Sequence, residues 1–311
     1  MKYISKLNGD PLTWLLEEDS ENPGVRFFAL TELTGKEPAN PEAQSAQNLV
    51  MHSGHVPRFL EAQKEEGFWM EPGPGYLPKY RSTAWSLIFM AQLGADREHP
   101  GIRKACDYVL NHSRSPQGGF SMNGNNSGMI HCMEGNLIAA LIDFGWLGDE
   151  RLSEAIDWLA RSITGREMAP TEDKQAAVRY LRSGNSGPGF ACSANNHLPC
   201  AWGAIKALLG LSKVPVEGRS SEVREAIQWG VEFLLGTDPA KANYPMGYND
   251  KPSTSWFKFG FPVGYITDVL QNLEVLTALG YGDDPRLANA IELLLDKQDE
   301  QGRWKLEYAN Y

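Results

Sequence analysis

The chain has 311 residues, 42% hydrophobic and 22% charged, with a formal net charge of −10, four cysteines and six histidines. That length and composition fit a globular protein with a large core. The 29 basic residues are outnumbered by 39 acidic ones and form no run or stripe, which excludes an electrostatic nucleic-acid surface. No apolar stretch approaches the roughly 18 residues of a membrane span, so no integral membrane segment is expected. Met1-Lys-Tyr-Ile-Ser-Lys6 leads into Asn8-Gly-Asp-Pro11 rather than an apolar run. It does not read as a signal peptide, and a cytoplasmic location is the expectation.

Along the chain, Asp10-Pro11 and Asn22-Pro23 each place a capping residue before proline and predict two short helices. Residues 41–51 and 56–66 predict a helical hairpin. One pattern then recurs four times: an apolar run ending near a glycine, a short turn, and a second apolar run. Asp149-Glu-Arg-Leu and Asp284-Pro-Arg-Leu stand in register, followed by Ala155-Ile156 and Ala290-Ile291, with Ala226-Ile227 and Ala105-Cys106 at the same places. The reference glycines Gly94, Gly145, Gly210 and Gly280 lie 51, 65 and 70 residues apart. Self-similarity at this period, with helical spacing inside each half, predicts stacked helical hairpins. About twelve helices result, in one domain over residues 1–311, enough to close an inner ring within an outer one. The connections 67–80, 118–128, 183–198 and 237–261 are long and rich in glycine and aromatic residues, which marks them as functional rather than disordered.

Two loops carry Gln-x3-Gly-x-Trp, as Gln63-Lys-Glu-Glu-Gly67-Phe-Trp69 and Gln298-Asp-Glu-Gln-Gly302-Arg-Trp304. This motif resembles the glutamine-tryptophan motif of squalene-hopene cyclases. Arg114-Ser-Pro-Gln-Gly-Gly-Phe120 is similar to the Gly-Gly-Phe turns of protein prenyltransferase beta subunits, with arginine in place of glutamine. The resemblance runs from about residue 55 onward, extends to short bacterial members of the superfamily, and implies an all-α fold, the α/α toroid of terpenoid cyclases and protein prenyltransferases. The expected motif role is local: glutamine ends a helix, glycine permits the turn, and the aromatic ring packs back. The acidic motifs of the cyclases and terpene synthases, and the Asp-x-Cys pair of the prenyltransferase zinc site, have no counterpart here. Fold likeness speaks to architecture and not to reaction.

Cys132 stands three residues before Gly135, and Cys200 three before Gly203, at equivalent points of consecutive repeats. Adjacent inner helices bring such points to one level. With Cys192 and His197 from the preceding loop, the set has the ligand types and number of a tetrahedral zinc site. A buried thiol cluster or a redox pair remain alternatives, and Cys106, on a core position of the repeat, reads as a small hydrophobe. Tyr80 and Asp268 are candidates for acid–base work at the rim, Asp268 equally a helix cap. Trp85, Trp202, Trp256, Phe259 and Tyr265 are expected to line a central cavity, against the plainer reading that they pack loops on helices. The functional expectation is a zinc-containing enzyme acting on an apolar or isoprenoid-like small molecule. A non-catalytic lipid-binding toroid with a structural metal, or a helical-repeat interaction scaffold, are the alternatives.

Overall fold

In a computed structural model that describes residues 4–180 and 185–309, the chain is all-α apart from short pairings in its loops. The first three residues, and the opening of the connection expected from residue 183, lie outside the described residues. Helices α1 (Leu12–Leu15) and α2 (Gly24–Phe28) precede the hairpin α3 (Pro41–His52) and α4 (Val56–Ala62). The four repeats follow as α5 (Thr83–Gln92) with α6 (Pro100–His112), α7 (His131–Asp143) with α8 (Glu150–Thr164), α9 (Ala201–Ser212) with α10 (Ser221–Leu235), and α11 (Val269–Ala278) with α12 (Ala288–Leu295). Twelve helices, the expected number, therefore stand among the described residues.

The repeat residues have visible jobs. Asp149 starts α8 by accepting the N–H of Arg151, and Asp284 accepts the N–H of Arg286 in the turn before α12. Each arginine folds back onto its own aspartate, at 2.8 and 2.7 Å. Each cap satisfies an N–H that a helix start leaves orphaned, and this is why Asp and Arg recur together.

First and second helices of each repeat differ in how they are buried. Helices α5, α7 and α9 bury almost every side, whereas α8 and α10 bury one stripe and leave the other to solvent. The first helices form an inner row in which α5 packs on α7, α7 on α9 and α9 on α11. The closest approach is between α7 and α9: a Cβ on Gly135 would lie 1.8 Å from the Lys206 carbonyl oxygen, and one on Gly210 would lie 2.7 Å from the Gly135 carbonyl oxygen. Only glycine permits this approach, and it fixes how the starts of the two helices face each other.

The turn motifs behave as the resemblance implies. The indole N–H of Trp69 donates to the Phe59 carbonyl and that of Trp304 to the Leu294 carbonyl, both at 2.7 Å and both ten residues back. Gly67 and Gly302 take φ of 103° and 75°. Gln63 Nε2 donates to the Gly67 carbonyl; in the variant loop Arg114 Nε donates to the Gly118 carbonyl at 3.0 Å. Arginine thus does the work of glutamine there, and adds an ion pair to Glu154 on the next outer helix.

Candidate functional site

The N-terminal ends of α7 and α9 open into a chamber of about 890 Å³, a volume within the range of small-molecule sites. Segments 76–80 and 265–266 close it from the sides, and the connections around 186–195 and 242–256 fold over it. Tyr76, Tyr80, Phe190, Trp202, Tyr244, Trp256 and Tyr265 supply its aromatic walls. Three non-glycine residues in this lining, Tyr80, Phe190 and Ala242, sit in left-handed backbone at φ of 66°, 63° and 51°. Such conformations cost on the order of 1–3 kcal/mol each and persist where surrounding structure holds them, a mark of functional sites.

Three of the four cysteines meet in this chamber. The α7–α9 approach carries Cys132, at the second position of α7, to the level of Gly203, whose Cβ would lie 3.9 Å from Cys132 Sγ and 3.8 Å from Cys200 Cβ. Cys192 arrives by backbone pairing. Its N–H donates to the Leu198 carbonyl at 3.1 Å, and Cys200 N–H donates to the Phe190 carbonyl at 2.9 Å, so the segment doubles back with its two cysteines side by side. Asn195 pins the covering connections together. Its amide nitrogen donates to the carbonyls of Pro199 and Pro245 at 2.9 and 3.1 Å, and its oxygen accepts the Gly247 N–H at 2.9 Å.

The thiols are chemically unequal. A hydrogen bond from the Cys200 thiol lowers Cys192 below the ordinary thiol range against the opposing effect of burial, and the backbone N–H groups of Ala194 and Asn195, in the helical turn that Cys192 starts, add to it. Donating that bond, together with burial, raises Cys200 well above the usual range. Burial pushes Cys132 up to about 12. Of the three thiols, Cys192 is the one whose acidity is raised, which makes it the candidate nucleophile.

Behind the thiols lies a buried polar patch. His131 Nε2 meets Ser162 Oγ at 2.9 Å, and that hydroxyl donates its proton to the Leu159 carbonyl at 2.8 Å. Nε2 is consequently the donor and Nδ1 carries the bare lone pair; among the described residues neither it nor either carboxyl oxygen of Glu134 has a hydrogen-bond partner. Burial holds His131 down to about 3, so its imidazole is neutral at physiological pH, and the same burial pushes the Glu134 carboxyl well above its ordinary range.

The expected site residues divide cleanly. Cys132, Cys192, Cys200, Tyr80, Trp202, Trp256 and Tyr265 line the chamber, but His197 does not. It is exposed, because Asn196 and His197 both take left-handed backbone, at φ of 52° and 65°. Among the described residues, no group of three or more His, Cys, Asp or Glu side chains is arranged to hold a metal ion. Trp85 stands behind the wall, with ring centroids 4.7 Å from Tyr80 and from Tyr265 and its indole N–H on the Tyr76 carbonyl. Phe259 packs at the C-terminal segment under Lys297. Asp268 caps α11 by accepting the Gln271 N–H at 3.0 Å and faces a separate cavity of about 370 Å³ shared with Lys206 and Glu274. Burial raises its carboxyl. Phe190, Tyr244 and the pinning role of Asn195 were not singled out from sequence, although all lie in connections marked there as functional by their length.

No family model and no curated protein matches this chain. The likeness to terpenoid cyclases and protein prenyltransferases thus stands on the repeats and turn motifs alone.

Proposed function

We propose that the chain is an enzyme of toroid type that takes an apolar or isoprenoid-like small molecule into the aromatic chamber and attacks it with Cys192. The observation that carries this reading is the gathering of Cys132, Cys192 and Cys200 inside one aromatic enclosure. The Cys192 thiolate adds to the electron-poor end of a carbon–carbon double bond conjugated to a carbonyl. The S–C bond forms as the π bond breaks, the displaced pair takes a proton from the Cys200 thiol at the α-carbon, and Cys200 regains its proton from water. Burial of the apolar body supplies affinity at roughly 25 cal/mol per Å² removed from water. Ring closure of the inner row is supported by Gln92 at the end of α5, which bonds both the N–H and the carbonyl of Val263, in the segment that leads into α11.

The test is protection. Farnesol, an uncharged isoprenoid alcohol, is expected to quench the fluorescence of Trp202 and Trp256 saturably and to slow iodoacetamide modification of Cys192, located by peptide mapping. Absence of both effects refutes the reading.

A second reading keeps zinc, favoured by the presence of three thiols, the right donor type, in one chamber. Plasma mass spectrometry of purified protein tests it. One zinc per chain, lost in Cys132→Ala, supports a metal site; metal-free protein from chelator-free preparation rejects it.

A further inference from the structure

The chamber keeps its one cation apart from any carboxylate. Its lining holds one ammonium, Lys79, and no carboxylate, in a chain whose net charge is −10. Its hydrogen-bonding groups are also sorted by position. Asn195 spends its amide on loop carbonyls, Ser186 Oγ accepts the His131 N–H at 3.0 Å, and Tyr244 Oη donates to the Leu234 carbonyl at 2.8 Å. Lys79 has no carboxylate or carbonyl acceptor among the described residues. Its Nζ lies instead 5.6 and 5.4 Å from the ring centroids of Tyr76 and Tyr265, where the π faces attract it without consuming its N–H donors.

Two hydroxyls keep it company. Among the described residues, Tyr265 Oη is buried beside the Tyr76 phenol without a hydrogen bond of good geometry, and Tyr80 Oη makes none. Burial pushes both phenols up, so each retains its proton and acts as a donor. The left-handed backbone at Tyr80 holds its ring against Trp85, beside Tyr265, and so gathers the three groups at one wall. One cation and two neutral donors, with no carboxylate in the lining, complement a single anionic head group.

We propose that the ligand is an apolar monocarboxylate, its head group received by Lys79, Tyr80 and Tyr265 and its hydrocarbon body lying along the aromatic walls. This deepens, and rests on, the apolar-ligand reading above. A diphosphate ester brings several negative charges, and the lining offers no arginine and no second lysine to balance them.

A matched series tests the head group alone: farnesol, farnesoic acid and farnesyl diphosphate, measured by calorimetry near neutral pH against the wild type and Lys79→Met. The acid is expected to bind about tenfold more tightly than the alcohol and more tightly than the diphosphate. Lys79→Met is expected to bring the acid down to the alcohol's affinity. Equal affinity of alcohol and acid, or retention of the acid's advantage in Lys79→Met, overturns the carboxylate proposal while leaving the apolar-ligand reading intact. Tightest binding by the diphosphate overturns it in favour of a polyanion. Failure of all three compounds to bind overturns both.

Discussion

The Cys192 thiol is lowered first by its Cys200 neighbour and then by the backbone N–H groups of Ala194 and Asn195, against the effect of burial. Iodoacetamide near neutral pH is therefore expected to modify Cys192 well before Cys106, which is wholly buried. In Cys200→Ala, the pH profile of that reaction should move to higher pH; an unmoved profile contradicts the assigned hydrogen bond. His131 makes a different prediction. It stays neutral in the fold down to about pH 3, against 6.5 for an ordinary histidine, so the unfolded chain takes up this proton first as pH falls. The stability tied to neutral His131 is full above about 6.5 and declines from there toward 3. At about 1.36 kcal/mol per pH unit, the loss reaches several kcal/mol. Urea unfolding at about pH 7.5 and about pH 4.5 should show a smaller decline for His131→Gln than for the wild type. Repeat equivalence made Cys132 and Cys200 legible in sequence, because register along a helix survives translation into space. His197 was read from loop spacing instead, and its direction depends on the left-handed turn at Asn196 and His197, a conformation these residue types tolerate but whose position spacing does not reveal.

Between elements, the α7–α9 contact is the joint on which the thiol group depends. Gly135→Ala pushes a methyl into the Lys206 carbonyl and is expected to destabilise the protein by about 1–3 kcal/mol or more in urea unfolding. An unaffected midpoint would place the two helices farther apart. The glycine was visible in the sequence only as a repeat marker; its role needed the facing helix. The turn motifs were far more legible, since their bonds are local and each indole reaches a carbonyl ten residues back. Their chemistry predicts that Arg114→Gln keeps most of the stability, because Gln63 makes the same bond to its glycine carbonyl. Arg114→Ala should cost about 1 kcal/mol. Equal losses in the two variants would show that the ion pair to Glu154, rather than the turn bond, is what stabilises this loop.

Taken as a whole, the molecule puts its regular repeat to structural use and its irregular connections to chemical use. The hairpin array followed from periodicity, because burial of one helical face obliges stacking. The chamber followed only in outline. Long aromatic connections announced a site, but spacing does not tell which wall each ring reaches, and so Trp85, Phe259 and Asp268 were expected at a cavity that they do not line. Local bonds settle those positions: the Phe259 N–H donates to Glu307 of the C-terminal segment, Asp268 caps α11, and the Trp85 indole donates to the Tyr76 carbonyl. The claim at the centre of this account is that an apolar enclosure and a reactive thiol are one site. Rates of Cys192 modification by N-cyclohexylmaleimide and N-methylmaleimide, reagents of similar intrinsic reactivity, test it most directly when read by peptide mapping. The account predicts at least a roughly tenfold faster reaction with the cyclohexyl reagent, from burial of its added methylenes at about 0.8 kcal/mol each, and suppression of that gain by farnesol. Equal rates, or modification spread over the other cysteines, would contradict it.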